Sequence, residues 1–491
     1  MKLKKLLGGL DYTVCSGSVD VEISSVVFDS RKATEGSLFI AIVGAKTDGH
    51  RYLQGVIDQG AAAVLIQRGA ELPADLDTKT CAVVEVPDTR YGMALVSAAW
   101  FDHPADKLKM IGITGTKGKT TTTYMVKSIL ENAGYQVGLI GTIEIIIGDK
   151  HIAASHTTPE SYILQEYLHD MVEAGIEIVV MEVSSQALML HRTAGIPFEI
   201  GVFTNIEPDH IGPAEHKDFD DYMNCKKLLF KQCRVGIFNG DDQHVNTMMD
   251  GVSCTCETFG IQNKKADLVA SNIRHVNGSG SLGMAFDVSG LADLSVKLDV
   301  PGMFSVYNAM TAIAICRHFE IEDEMTKKAL KMAKVKGRIE PVKVSDDFTL
   351  LIDYAHNAMA LKSLLTTLRD YEPKRLVCLF GCGGNRARSR RFEMGEVSGN
   401  MADLTIITSD NPREEEPQAI IDDIKTGINK TSGKYVEIID RREAIAYAID
   451  NGQPGDIIVL AGKGHEDYQE INGVKYPMDE RVIIEEYLKS R

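Results

Sequence analysis

The stretch from residue 110 to residue 132 constrains the fold more than any other. Met110-Ile111-Gly112-Ile113-Thr114 is a short apolar run suited to a buried strand. Gly115-Thr116-Lys117-Gly118-Lys119-Thr120-Thr121 follows, then a helical pattern over 120–131 that Gly134 ends. A strand entering a glycine-rich turn and leaving as a helix turns several backbone N–H groups toward one anion. Lys119 is then placed to neutralise the β and γ phosphates of a nucleotide, and Thr120 to ligate Mg²⁺. The spacing is G-x-x-G-K-T, because the first glycine of the longer G-x-x-x-x-G-K-[ST] loop would fall on Ile113. Taken alone, the loop also reads as a plain structural turn.

The same alternation continues downstream. Buried strand candidates lie at 176–183, 200–204 and 235–239. A second series begins near residue 340, with candidates at 350–352, 376–380, 404–408, 436–439 and 457–460 and a helical pattern over 441–449. Short strands are expected at 25–28, 38–42 and 62–66, and antiparallel excursions over 266–298. Strands alternating with helices imply mostly parallel sheets. The expected class is α/β with three domains, 1–106, 107–338 and 339–491, split at turn-like positions near 104–107 and 337–341. The central one is a mononucleotide-binding parallel sheet and the last a Rossmann-like α/β domain. A chain of 491 residues fits three domains at roughly 100–200 residues each.

Composition removes some functions without naming one. The formal net charge of −16 argues against bulk nucleic acid or an anionic membrane as partner. No run of about 18 apolar residues predicts a spanning helix. The apolar start breaks at Gly8-Gly9 and Asp11, too early for a signal-peptide core. Nine cysteines without a C-x-x-C pair fit reduced thiols and a cytoplasmic location.

Other segments are ambiguous one at a time. Glu182 ends an apolar run, where a carboxylate either holds Mg²⁺ or is solvated. Lys226 and Lys227 sit in an amphipathic pattern that reads as a helix with solvent lysines. A GTP-driven switch remains a rival. Asp209-His210-Ile211-Gly212 has the form D-x-x-G, and Asn263-Lys264-Lys265-Ala266-Asp267 approaches N-K-x-D with its aspartate one position late.

Read together and in order, these segments resemble the Mur ligase family, ATP-dependent ligases that add amino acids to the peptidoglycan precursor. The loop is similar to the family's G-T-N-G-K-T-T, with Lys117 in place of Asn. Glu182-Val183-Ser184-Ser185 resembles its metal-binding E-V-S-S. Thr204-Asn205 followed by Asp209-His210 resembles its T-N…D-H, and Tyr222-x-x-x-Lys226 places Lys226 on its carbamylated lysine. Asn308, Gly337-Arg338-Ile339-Glu340 and Asp353-Tyr354-Ala355-His356 match its ATP-site motifs.

The resemblance implies catalytic roles for Lys119, Lys226, His210 and Glu182. It implies ATP as substrate on Gly115, Thr116, Lys117, Gly118, Lys119, Thr120, Thr121, Asn308, Arg338 and Asp353. Mg²⁺ would lie on Thr120, Glu182, His210 and Lys226, the last as N6-carboxylysine. The first domain would bind a UDP-sugar through Phe28-Asp29-Ser30-Arg31 and Gly44-Ala45-Lys46-Thr47-Asp48-Gly49-His50, with Ser30 foremost. Thr157, Thr158, Ser184 and Arg192 would contact the muramoyl peptide.

Within the family, the resemblance is to members that add diaminopimelate as third residue. It rests on Gly381-Cys382-Gly383-Gly384-Asn385-Arg386, Asp410-Asn411-Pro412-Arg413 and Gly462-Lys463-Gly464-His465-Glu466. The amino acid would meet Arg386, Asp410, Asn411, Pro412, Arg413, Gly462 and Glu466. Arginine matches a carboxylate bidentately and would repel a lysine ammonium. The implied partners are UDP-MurNAc-L-Ala-D-Glu, ATP and a diamino acid, with no nucleic acid or membrane, and the implied state is a monomer. L-lysine in place of diaminopimelate is the nearest alternative.

Overall fold

The computed structural model describes residues 1–44, 47–73, 76–212, 215–278 and 281–490. The chain divides into two compact units. One comprises Met1–Asp267 with Thr311–Ile321, and the other Leu268–Met310 with Glu322–Arg491.

The first unit begins with strands β1 (Thr13–Ser16), β2 (Ser25–Val27), β3 (Ser37–Ile40), β4 (Ala63–Gln67) and β5 (Ala82–Val86). They form one sheet in the order β1-β5-β4-β3-β2, parallel except for β1. Leu38, Ile40 and Leu65 feed one core and Phe39, Val64 and Ile66 another. A sheet buried on both faces needs continuous apolar runs, which is why these strands are visible in the sequence.

Strands β6 (Lys109–Thr114), β7 (Val137–Ile140), β8 (Glu144–Ile147), β9 (Lys150–Ala153), β10 (Ile178–Glu182), β11 (Phe198–Phe203), β12 (Cys233–Asn239) and β13 (Thr255–Gly260) follow. Their order is β13-β12-β11-β6-β10-β7-β8-β9, parallel through β7 and antiparallel beyond. β6 lies between β10 and β11, so the loops leaving the C-terminal ends of all three meet. Helix Lys119–Asn132 starts there. Ligands of open α/β sheets gather at such a point.

In the second unit, β14 (Leu268–Gly278), β15 (Ser281–Gly290) and β16 (Leu294–Leu298) make the expected antiparallel meander. Strands β17 (Glu340–Val342), β18 (Thr349–Asp353), β19 (Arg375–Phe380), β20 (Leu404–Ile407), β21 (Tyr435–Glu437) and β22 (Asp456–Ala461) form a sheet ordered β17-β18-β22-β19-β20-β21. All pairs but β17–β18 are parallel. A hairpin, β23 (Tyr468–Ile471) and β24 (Val474–Pro477), follows. Tyr371 fastens the meander to this sheet, its hydroxyl donating to Gly283 O at 2.8 Å and accepting from Gly302 N at 3.1 Å.

The α/β class is as expected. All nine cysteines are free. Among the described residues no helix is long and apolar enough to cross a membrane.

Candidate active site

The loop after β6 is built for an anion. Gly118 has φ 86° and caps helix Lys119–Asn132, and Gly115 has φ 149°, both in the region that favours glycine. A side chain on Gly115 would strike Thr204 Oγ. Thr204 and Asn205, just past β11, clamp the loop. Thr204 Oγ1 donates to Lys117 O at 2.7 Å, Asn205 Oδ1 accepts from Lys117 N at 2.9 Å, and Asn205 O accepts from Thr116 N at 2.9 Å. Lys119 Nζ lies back over the loop, 2.9 Å from Gly115 O. Lys117 pairs with Glu207 at 2.6 Å. Thr120 is buried behind the loop and Thr121 is half-buried.

Glu182, at the end of β10, is buried beside it. Its carboxylate accepts from Thr120 Oγ1 at 2.9 Å, Thr142 N at 2.8 Å and Thr142 Oγ1 at 3.1 Å. A hydroxyl and a carboxylate are the hard oxygen donors Mg²⁺ takes, so this pair fits the ion. Thr158 Oγ1 donates to Glu182 O at 2.8 Å and accepts from Ser184 N at 3.1 Å. Thr157 Oγ1 lies 3.0 Å from Thr142 Oγ1, and Ser184 Oγ caps a helix by accepting from Ala187 N at 3.1 Å.

Helix Phe219–Lys227 delivers Lys226, which is only 2% exposed. Its Nζ donates to Gly115 O at 3.0 Å and sits 4.4 Å from the Tyr222 ring centroid. Burial, then the charge of Lys119, pushes its ammonium well below the usual lysine range, against an opposing pull from Asp209. The solvent-lysine reading therefore fails for Lys226, while Lys227 is half-exposed. Tyr222 OH meets Thr116 Oγ1 at 3.1 Å, tying this helix to the loop.

His210 is exposed and bonded to Glu215 at 3.0 Å. His216 is buried, with Nδ1 3.1 Å from Asp221 and Nε2 2.9 Å from Ser185 Oγ. A cleft of about 350 Å³ joins these groups, walled by Lys119, Thr157, Thr158, Ser184, Ser185, Arg192, His210 and His216. Arg192 donates to Thr158 O at 3.0 Å and pairs with Glu160 at 2.7 Å, and Glu160 also holds Arg90.

Ser30 opens a short 3₁₀ turn capped by Asp29 and is half-buried. Of the second expected nucleotide segment, Ala45 and Lys46 lie outside the described residues. His50 is buried, bonded to Asp48 at 2.6 Å and accepting from Gln67 N at 3.0 Å.

The second unit brings together the remaining candidates. Asp353 ends β18 and accepts from Ile339 N and Ala355 N, each at 2.8 Å. Burial pushes its carboxyl up, offset in part by Arg338. Arg338 lies 5.2 Å from the Tyr354 ring centroid, and the His465 ring stacks 4.5 Å from the same tyrosine. Burial, with Arg338, Lys336 and Arg481 around it, pulls His465 down to about 4. Asn308 is buried on helix Met303–Cys316.

Asp410, Asn411 and Pro412 are buried past β20, and the first two lie beside Lys463, which has no exposed surface. Lys463 Nζ donates to Asn411 Oδ1 at 2.9 Å and Glu466 Oε2 at 3.1 Å, and lies 3.9 Å from Asp410. Asn411 Nδ2 donates to the same Glu466 oxygen at 2.8 Å. Gly462 is buried with φ 109°, and a Cβ there would come within 2.8 Å of Asp410 Oδ2. Arg413, with φ 53°, pairs with Glu470 at 3.0 Å and donates to Gly384 O at 2.7 Å. It lies in the loop before helix Pro417–Ile428. Arg386 is exposed.

Signatures described as "Mur ligase family, catalytic domain", "Mur ligase middle domain" and "Mur ligase, glutamate ligase domain" match residues 22–101, 113–316 and 337–464. The chain belongs to the Mur ligase family. It is 44% identical to the UDP-N-acetylmuramoyl-L-alanyl-D-glutamate–2,6-diaminopimelate ligase of Caldanaerobacter subterraneus subsp. tengcongensis, over 99% of each chain. It is 42% identical to ligase 1 of that description from Clostridium acetobutylicum, over 100% of this chain and 99% of the relative. A solved structure with the same enzyme description superposes with TM-score 0.73 at 28% identity, covering 100% of this chain and 99% of that one.

Membership of the Mur ligases displaces the GTP-switch reading, and the local structure agrees. The Asn263–Asp267 stretch closes on its own surroundings, with Asn263 N on Asp241 at 2.6 Å and Asp267 accepting from Thr258 N at 2.7 Å. Sequence reasoning missed Thr142 and Asp221 at these sites, and Ser185, Tyr222 and Lys463 stand in quoted motifs without a role of their own.

Proposed function

We propose that this Mur ligase joins meso-2,6-diaminopimelate to the D-Glu side-chain carboxylate of UDP-MurNAc-L-Ala-D-Glu, converting ATP to ADP and phosphate. The observation that carries the reading is the charge layout around Arg413 and Glu466, seen alongside full-length relatives of that description. An arginine fork matches the distal carboxylate of diaminopimelate, and Glu466 Oε1 can accept from its distal ammonium. Lysine has no such carboxylate.

The residues support a two-step course. The D-Glu carboxylate attacks the γ-phosphorus of ATP in line, forming a C–O–P bond as ADP leaves. The amine then attacks the acyl carbon, and the C–O bond to phosphate breaks as the amide forms. Two anions meet in the first step, so positive charge must stand between them. Lys119 supplies part of it. Thr120 and Glu182 would hold Mg²⁺, and His210 with a carbamylated Lys226 would hold a second ion; the bound ions would supply the rest of the positive charge.

Carbamylation of Lys226 suits its setting. A buried amine that stays neutral can add to CO₂, forming an N–C bond and releasing a proton, and the product is an anionic ligand on a long stem. In the same reading, Asn308, Arg338 and Asp353 hold ATP, Ser30 the uridine diphosphate, and Thr157, Thr158, Ser184 and Arg192 the muramoyl peptide. Arg386, Asp410, Asn411, Pro412, Arg413, Gly462 and Glu466 hold the amino acid. The three expected domains divide these tasks in chain order, and the protein acts as a cytoplasmic monomer.

The test is phosphate release from ATP with UDP-MurNAc-L-Ala-D-Glu, offering diaminopimelate and L-lysine separately. Release with diaminopimelate alone is the expected result. Preference for lysine would reassign the amino acid, and release with neither would remove the ligase reading.

A further inference from the structure

Ser185, His216 and Asp221 form a hydrogen-bond chain that the mechanism above does not use. Asp221 Oδ2 is 3.1 Å from His216 Nδ1, and His216 Nε2 is 2.9 Å from Ser185 Oγ. His216 is 1% exposed and Ser185 4%, yet both reach the wall of the cleft that Lys119 and Arg192 share. The three side chains come from two places in the chain, 31 residues apart between Ser185 and His216.

The chain has a direction. A carboxylate only accepts, so Asp221 keeps the proton on His216 Nδ1. Nε2 of that tautomer is an acceptor, so the Ser185 hydroxyl must donate to it. The Ser185 oxygen then has only lone pairs left to offer. Two of its neighbours on the wall spend part of their hydrogen-bonding capacity within the protein. Thr158 Oγ1 donates to Glu182 O and accepts from Ser184 N, and Ser184 Oγ accepts from Ala187 N. Cys225 lies with His216 and Asp221 in one group within 4.8 Å, but burial holds its thiol up at about 11. A protonated thiol is a poor partner for a cation, so the group works as a hydrogen-bond chain.

We infer that Ser185 is a further substrate-contacting residue, fixed by the positioning residues His216 and Asp221 as an acceptor for an amide N–H of the peptide-bearing substrate. This rests on the reading that the cleft receives the muramoyl dipeptide. The cations at the cleft, Lys119 and Arg192, suit the anionic groups of such a substrate. Its peptide N–H groups need acceptors, and a hydroxyl locked in one orientation discriminates them from groups that only accept.

Steady-state kinetics with UDP-MurNAc-L-Ala-D-Glu, ATP and diaminopimelate test it. Ser185→Ala should raise KM for the UDP-dipeptide about 3- to 10-fold, the worth of one neutral hydrogen bond, with kcat and KM for ATP within about 2-fold. His216→Phe should give the same KM split, and the double variant no further loss, because both remove one interaction. His216→Gln, which can donate to Asp221 and accept from Ser185, should recover part of it. A UDP-dipeptide N-methylated at the contacted amide should lose affinity for wild type and not for Ser185→Ala. An unchanged UDP-dipeptide KM in Ser185→Ala overturns the inference even if His216→Phe fails to fold, and additive losses overturn the coupling. A wild-type enzyme that releases no phosphate with these substrates would instead overturn the functional reading beneath it.

Discussion

Among the described residues two lysines are buried, one in each unit, and their surroundings are opposite. Lys226, 2% exposed, meets a backbone carbonyl and the face of Tyr222, with no carboxylate in ion-pair range among the described residues. Lys463, 0% exposed, is enclosed by Glu466, Asp410 and Asn411. Burying a cation without an anion favours the neutral amine, and burying it among carboxylates favours the ammonium. The first arrangement leaves a group free to react. The second makes a structural cation that holds Asn411 and Glu466 in place. Residue type and burial are the same, so the neighbours alone decide the chemistry.

The sharpest way to break the comparison is to remove each amine. Lys226→Ala should lower kcat by about 1,000-fold, about 4 kcal/mol on the barrier, because an electrostatic group at the transferring phosphoryl is gone. Short-chain carboxylic acids added to the assay should restore part of it, since they can stand in for the carbamate. Full activity in the alanine variant would remove carbamylation from the mechanism. Lys463→Met should act differently. It strands Glu466 and Asp410, and denaturant titration should show a loss of about 3 kcal/mol, at the low end for a broken buried pair. Acids should rescue nothing. Equal stability of variant and wild type would mean that Lys463 is no keystone.

A third substitution sharpens the contrast within the second unit. Arg413 is only partly enclosed, its Nε pairing with Glu470 at 3.0 Å and its Nη1 donating to Gly384 O at 2.7 Å. Arg413→Ala should raise KM for diaminopimelate about 10- to 150-fold, roughly 1.5–3 kcal/mol, and leave KM for ATP alone. If the diaminopimelate KM does not move, the arginine is structural, held for Glu470 and the Gly384 carbonyl.

The two lysines also show how far the sequence could be read. Parallel strands buried on both faces announce themselves as apolar runs, so β19 and β22 were legible to within a residue. The β8–β9 extension was not, because β9 (Lys150–Ala153) is largely exposed and carries no apolar run. The phosphate loop was legible because glycine spacing reports backbone shape directly. Lys226 was legible only through resemblance. Its helix reads as amphipathic, and spacing cannot say which of two adjacent lysines turns inward. Lys463 was invisible as a buried group, since lysines are almost never fully buried and nothing local marks the exception. Ser185, His216 and Asp221 meet through tertiary packing, for which no spacing rule exists.

A buried histidine extends the same logic to pH. His465 sits on Tyr354 among Arg338, Lys336 and Arg481, and burial plus those charges lower it to about 4. An unfolded histidine titrates near 6.5. Between these values the unfolded chain binds the proton that the folded chain refuses, so this contribution to stability is complete above about pH 6.5 and is lost as pH falls toward 4. The full shift would be worth about 3 kcal/mol, and partial solvent access reduces it to on the order of 2 kcal/mol. Carboxylates titrate in the same range, so the quantity to measure is the difference between wild type and His465→Gln in denaturant midpoint at pH 7 and pH 4.5. Wild type should lose more stability than the variant by that amount, because only it must charge a ring already surrounded by cations. Parallel losses would mean that the pocket opens to water before the ring takes its proton, and that the Tyr354 stack does not hold the ring against titration.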